Sequence, residues 1–291
     1  MKQKALFIIN PKSGTQQKWH LRELIEKHIS KDLFDFNIEF TQYAKHAKTI
    51  AAQAVEDKID VVVIAGGDGS INEVASSLIH TDVAMGIIPM GSGNGLARHL
   101  GLSLNPLKAV KKINSSKKIL IDSCKINNEV FVSAAGVGFD GLVAHEFSKH
   151  KKRGVMKYIL VSSQKFFGYQ PKHYEVEVDG KQIKTDAFMV VVANSQQFGS
   201  GLKIAPQADL QDGLMHCCIL KPFNIVAGTS LLYNGFAGKL KTNKFYELLD
   251  CKEVKIKATE NSLWQKDGEP MLYNQPEVHF KINPKSLWMW V

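Results

Sequence analysis

The sequence predicts a two-domain protein, an α/β domain with a mostly parallel sheet followed by an antiparallel β-sandwich. Three observations carry this. Residues 1–118 alternate apolar strand-like runs with amphipathic stretches at βαβ spacing. From residue 119 onward strand-like pieces dominate, and glycine-rich turns close three strands of the first part. The expected domains are therefore 1–118 and 119–291.

Ala5–Ile9 is the first strand candidate, an apolar run closed by Asn10-Pro11. A helical pattern at Gln17–His28 follows, then strand Phe36–Thr41 and helix Lys45–Asp57. Val61–Ala65 is apolar and mostly β-branched, as suits a parallel strand covered on both faces. The next helix, Ser70–Ile79, sets Ile71, Val74, Ala75 and Leu78 at helical spacing. Strand Val83–Pro89, helix Asn94–Leu100 and a short helix at Pro106–Ile113 complete the first domain. In the second, strands are expected at Ile119–Ile126, Val130–Ala135, Tyr174–Val178, Ala187–Ala193, Leu214–Leu220, Glu253–Ala258 and Val278–Ile282. Asn127-Asn128 and Asp179-Gly180 are hairpin signals, and helices are expected at Gly141–His150, Gly154–Phe167 and Phe223–Phe236.

The 291 residues are 44% hydrophobic and 22% charged, an ordinary globular composition. The net charge of +9 points to anionic partners: a nucleotide, nucleic acid or an acidic membrane surface. Cys124, Cys217, Cys218 and Cys251 lack metal-ligand spacing, and reduced core cysteines in a cytosolic protein are expected. The Ala5–Ile9 run is too short for a signal peptide, and no stretch is long enough to span a bilayer. The expected location is the cytoplasm, with peripheral membrane contact.

The chemistry is concentrated in Gly66-Gly67-Asp68-Gly69-Ser70, between a buried-type strand and a helix. Open α/β sheets bind ligands beyond the carboxyl ends of their strands. Glycines let the backbone approach a polyphosphate, and a helix N-terminus offers unpaired N–H groups. An acid such as Asp68 in such a loop orients a metal or takes a proton; the plainer alternative is a Gly-Asp turn. Asn10-Pro11-Lys12-Ser13-Gly14 and Gly91-Ser92-Gly93-Asn94-Gly95 also follow strands. Three such loops can converge on one triphosphate.

The combination resembles the catalytic domain of the diacylglycerol kinase family, which includes sphingosine and ceramide kinases and bacterial soluble lipid kinases. NAD kinases and phosphofructokinases share a similar Gly-Gly-Asp-Gly loop. The resemblance runs through Asn10–Gly14, Thr41 with His46-Ala47, Gly66–Val74, Pro89–Asn94, Asp212-Gly213-Leu214 and Asp267-Gly268-Glu269. It implies a nucleotide domain, a β-sandwich and an active site in the cleft between them. It also implies ATP contacts at Asn10, Pro11, Lys12, Ser13, Gly14, Thr41, Gly66, Gly67, Asp68, Gly69, Ser70, Ile71, Asn72 and Ser92. The chain departs from the family pattern at Ser70, where Thr is usual, and at Thr15, so Lys12 or Lys18 would offset phosphate charge. Gly95 stands where many bacterial diacylglycerol kinases carry Asp, which leaves the acceptor open.

Asp267-Gly268 alone would explain a hairpin turn. By resemblance, Glu269 looks like the general base for the lipid hydroxyl, with Asp68 as the competing base. Asp209 and Asp212 offer carboxylates that suit Mg²⁺, or form an exposed acidic turn. The resemblance implies a metal here, with Asp209 or Asp212 and the Leu214 carbonyl as ligands. Gly136-Val137-Gly138-Phe139-Asp140-Gly141 matches a dinucleotide fingerprint, but no acid lies between Glu146 and Glu175 to hold a ribose. A tight strand-to-helix turn is the better reading, and the resemblance lets Asp140 face the acceptor lipid.

That acid-free interval holds Lys149, His150, Lys151, Lys152, Arg153, Lys157, Lys165 and Lys172 among aromatic and aliphatic residues. Such a mixture suits an anionic membrane, or a solvated basic helix over a core; no nucleic-acid recognition motif accompanies it. The sequence thus reads as an ATP- and Mg²⁺-dependent lipid kinase acting on diacylglycerol or a sphingoid-type base. NAD kinase and a non-catalytic nucleotide-binding regulator are the alternatives, and a homodimer is compatible with the sequence.

Overall fold

The computed structural model describes residues 2–13, 19–150, 155–259, 261–273 and 275–291, in two compact units. The first comprises Met1–Ile121 with Lys285–Val291, the second Asp122–Pro284. Gly14, Thr15, Lys18, Lys151, Lys152 and Arg153, singled out above, lie outside the described residues.

The first unit is the expected α/β fold. Its elements are β1 (Gln3–Ile9), α1 (Trp19–His28), β2 (Phe34–Phe40), α2 (His46–Glu56), β3 (Val61–Gly66), α3 (Asp68–Leu78), β4 (Ala84–Pro89), α4 (Gly95–His99) and α5 (Pro106–Ile113). The strands pair in parallel in the order β2-β1-β3-β4. β3 and β4 are buried along their whole length, which is why each reads as a continuous apolar run rather than an alternating one. α3 begins at Asp68, not Ser70, because Gly67 is already extended and serves as the N-cap. α5 opens with Pro106 behind Asn105, whose side chain accepts from the Lys108 amide.

Strand β5 (Lys118–Ile126) leads into the second unit. There follow β6 (Glu129–Phe131), β7 (Ala134–Gly138), α6 (Phe139–Ser148), α7 (Val155–Phe166), β8 (Lys172–Val178), β9 (Lys181–Ala187), β10 (Met189–Ala193), β11 (Gln197–Gly199), β12 (Leu202–Lys203) and β13 (Met215–Leu220). Then come α8 (Ile225–Ala237), β14 (Tyr246–Cys251), β15 (Glu253–Lys257), β16 (Leu263–Lys266), β17 (Glu269–Leu272) and β18 (Glu277–Trp290). One antiparallel sheet runs β14-β13-β10-β7-β16-β17; β18, β15, β8 and β9 form the other, with β5 and β6 attached. Their inner faces share a core that includes Phe131, Val137, Tyr174, Val192, Trp264 and Phe280, which makes the unit a sandwich. All four cysteines are free and buried; Cys217 and Cys218 point into different core clusters, as strand alternation requires.

The predicted strand over Val130–Ala135 is two strands, β6 and β7, separated where Asp267 binds the chain. The end of β18 sits in the first unit, where Met289 pairs with Met85 of β4 and Trp290 packs edge-on against Phe34. Nothing in the local pattern of the C-terminal residues signals that return.

Candidate active site

β1, β3 and β4 are neighbouring parallel strands, so the three glycine-rich loops leave the same edge of one sheet. Hydrogen bonds tie the loops to one another. Asn10 Nδ2 donates to Ser70 Oγ at 2.7 Å, joining the first loop to the second. Asn10 also folds its own loop: its Oδ1 accepts from the Lys12 amide, and its carbonyl accepts from Ser13 Oγ. Asp68 joins the second loop to the third, its two carboxylate oxygens accepting from the Asn94 and Gly95 amides at 2.9 and 2.8 Å. Asn94 is buried in the left-handed region, and its side-chain amide grips both the N–H and the carbonyl of Gly91. Arg98 Nε donates to the Gly93 carbonyl.

The glycines are needed for this contact before any ligand arrives. A Cβ on Gly91 would meet Gly67 Cα at 2.6 Å, and one on Gly66 would meet Ser70 Cβ at the same distance. Gly91→Ala is therefore expected to force the two loops apart and cost about 1–3 kcal/mol, read as a lower thermal midpoint. An unchanged midpoint would mean that the loops separate without penalty. Gly67 brings no side chain to the first-turn amides of α3, so that helix start keeps the character of an anion site. Thr41, after β2, is buried and its amide donates to the Ile9 carbonyl. His46 stacks on Tyr43 and accepts from the Gln42 amide through Nδ1, while Glu73 of α3 accepts from the Lys45 amide.

In the second unit, Asp267 and Gly268 are the turn of the β16–β17 hairpin, both with positive φ. The hairpin reading accounts for that pair, and Asp267 does more. Buried, it accepts from the Val132, Ser133 and Ala134 amides and so fixes the entry to β7. Glu269 opens β17, partly exposed. β7 passes through Gly136 and Gly138 directly into α6, where Asp140 is buried. Burial pushes its carboxyl up to about 7, and a hydrogen bond from Gln265 and the nearby Gly141 and Asp140 amides offset this only in part. Gln265 Nε2 donates to Asp140 Oδ2 at 3.2 Å, while its Oε1 accepts from the Gly268 amide at 2.9 Å. One side-chain amide therefore links the buried acid to the turn that carries Glu269. The dinucleotide-like glycines have structural reasons: Gly138 sits at φ 114°, and a Cβ on Gly141 would fall 1.9 Å from the Leu263 carbonyl oxygen.

Asp209 and Asp212 are exposed, and each accepts from the amide two residues on. Asp122, which sequence reasoning passed over, is buried beside them and accepts from the Gly213 amide at 2.7 Å. Among the described residues no group of three His, Cys, Asp or Glu side chains is placed to hold a metal. No helix there is long and apolar enough to cross a membrane.

The diacylglycerol kinase catalytic domain matches residues 4–126, and the YegS C-terminal NAD kinase beta sandwich-like domain matches residues 133–291. The chain belongs to the family that joins a diacylglycerol kinase catalytic domain to a YegS C-terminal domain. It is a lipid kinase, and membership in a kinase family implies ATP as the phosphoryl donor. A Bacillus subtilis (strain 168) protein named diacylglycerol kinase is 28% identical over 278 residues, which cover 91% of this chain and 89% of that one. "Probable lipid kinase YegS" of Escherichia fergusonii is 27% identical, with 97% and 94% covered. A crystal structure of a Bacillus anthracis diacylglycerol kinase shares the fold, with a TM-score of 0.73 at 20% identity over 99% of this chain and 96% of that one.

Within this family setting, the sequence missed Gln265 and Asp122, each of which acts through partners distant in the chain, so no local motif announces it. Asn94 stands in the third glycine-rich loop, but the sequence does not foretell its grip on Gly91.

Proposed function

We propose that this kinase transfers the γ-phosphoryl group of ATP to a hydroxyl of diacylglycerol, with Glu269 as general base and Asp68 as the residue that holds the nucleotide loops together. The observation that carries this division is the commitment of Asp68 to two backbone amides. Both bonds are strongest to the ionised carboxylate, so taking a proton would weaken the tie between the loops. Glu269, on the hairpin held by Gln265, then takes the proton of the attacking hydroxyl. Asn10 to Ser13, Thr41, Gly66 to Asn72 and Ser92 would hold ATP, with the α3 amides at its phosphates.

Mg²⁺ supplies charge neutralisation on the phosphates when bound. A second Mg²⁺ would be held at the acidic turn by the Asp209 and Asp212 carboxylates, the Leu214 carbonyl and water to complete the shell. In wild type, Mg²⁺ should raise the melting temperature by mass action on the folded state. In Asp212→Ala that rise should disappear; an undiminished rise would return the turn to a purely structural role.

The diacylglycerol acceptor is supported by the name of the Bacillus subtilis relative. A long-chain base is the second reading, favoured by the buried acid Asp140, which would face an ammonium group. A cavity in the same unit, lined by Val137, Leu142, Tyr169, Lys172, Tyr174 and Ser262 among others, is only about 90 Å³, enough for a headgroup atom or waters but not for an acyl chain. Radiolabelled ATP offered with diacylglycerol, with a sphingoid base, with NAD and with no acceptor tests the proposal. Label in diacylglycerol is expected; label in the base alone would favour the second reading, and label in NAD alone or in nothing would overturn both.

A further inference from the structure

Helix α8 is mostly apolar, with the polar Thr229 and Ser230 among its exposed residues. Its inner face is packed: Gly228 lies against Phe223 and Phe166, Gly235 against Leu202, and Leu231 is buried. Its outer face carries Val226, Leu232, Tyr233 and Phe236, which are 57% to 74% exposed. Large apolar side chains exposed together along one side of a helix mark an interaction surface. Helix α7, joined to this region by the Phe166–Phe223 ring contact, exposes Met156 and Ile159 as well.

The segment that carries this surface has charge of one sign. From Lys221 to Tyr246 the chain contains no Asp or Glu, and it carries Lys221, Lys239, Lys241 and Lys244. Lys221 is paired with Glu247, but Lys239 and Lys241, just beyond the C-terminal end of α8, are exposed. An apolar face beside exposed lysines complements an anionic phospholipid interface, with aliphatic side chains among the acyl chains and ammonium groups among the headgroups. A second copy of the chain fits less well, because a two-fold contact through α8 would set these lysines against their own equivalents. With 13 residues, α8 suits lying in the interface rather than crossing it.

We propose that the outer face of α8, formed by Val226, Leu232, Tyr233 and Phe236, enters the headgroup–acyl boundary of an anionic membrane and docks the enzyme where its acceptor resides. This rests on the lipid-kinase reading for its purpose but not for its physics. Tyr233 suits the boundary, with an apolar ring and a hydroxyl that can stay wet.

The test compares wild type with L232Q/F236Q in co-sedimentation with phosphatidylglycerol-containing and pure phosphatidylcholine vesicles, and in phosphorylation of a short-chain, water-dispersed diacylglycerol. Wild type should prefer the anionic vesicles. The variant should bind them about tenfold more weakly or worse, since two large apolar side chains no longer leave water. Its rate on the dispersed acceptor should stay within about twofold of wild type, because these residues act on access and not on chemistry. Equal vesicle binding by the two proteins overturns the proposal. So does a wild-type dimer in sedimentation that the substitutions dissociate without affecting vesicle binding, which would make the face a self-association surface. If both proteins fail to phosphorylate any lipid while only wild type binds vesicles, the docking surface stands and the kinase assignment falls. Should L232Q/F236Q melt early, K239Q/K241Q replaces it. Each lost lysine should weaken anionic binding about fivefold, and an undiminished anionic preference overturns the proposal.

Discussion

Glu269→Gln is expected to lower turnover by about 100-fold to 10,000-fold while leaving ATP affinity within about twofold of wild type. The substitution keeps the shape of the side chain and removes its capacity to accept a proton. A general base acts on the acceptor hydroxyl, so its loss appears in kcat rather than in nucleotide binding. The hairpin should survive, because its turn is set by the positive φ of Asp267 and Gly268 and by the three amides bound to Asp267, none of which involves the Glu269 side chain. ATP titration and single-turnover transfer to dispersed diacylglycerol provide the two readouts. Lost ATP affinity with turnover preserved at saturation would make Glu269 a nucleotide ligand instead.

How much of this site the sequence discloses depends on the range of each interaction. The glycine loops are legible because three consecutive steps, apolar strand, glycine turn and helix, are all local. What makes them one site is not local. Asp68 reaches amides at positions 94 and 95, and Asn10 reaches Ser70, so the order β1-β3-β4 in the sheet must be known before either bond can be inferred. The sequence assigns the glycines to phosphate approach; the structure adds a prior demand, since Gly67 and Gly91 already touch each other.

The second unit is harder to read for a related reason. Its strands are short, and β16 and β17 have four residues each, so their alternation is too brief to distinguish from a loop. Asp267-Gly268 correctly announces a turn, yet the buried role of Asp267 depends on amides more than 130 positions away. Gln265 carries no motif at all. It becomes visible only because Asp140 is buried and the Gly268 amide fixes which end of the Gln265 side chain faces it. In the acidic turn, Asp209 and Asp212 stand out in the sequence, whereas the buried Asp122 is hidden inside an ordinary strand.

Asp68→Asn should separate a loop-holding residue from a base. Asparagine keeps one accepting oxygen but turns the other position into an N–H donor, which would face the Asn94 or Gly95 amide. One amide then loses its partner, at a cost of about 1–3 kcal/mol, and the 91–95 loop shifts from the α3 N-terminus. A displacement of about 1 Å at the phosphates is enough to cost about 100-fold in transfer. Because the defect lies in the nucleotide loops, ATP affinity should weaken together with turnover, and the thermal midpoint should fall by several degrees. A pure base would behave differently: ATP affinity and melting would hold while turnover alone collapsed. That pattern would transfer the proton to Asp68 and leave Glu269 a bystander, and activity near wild type would remove Asp68 from the active site altogether.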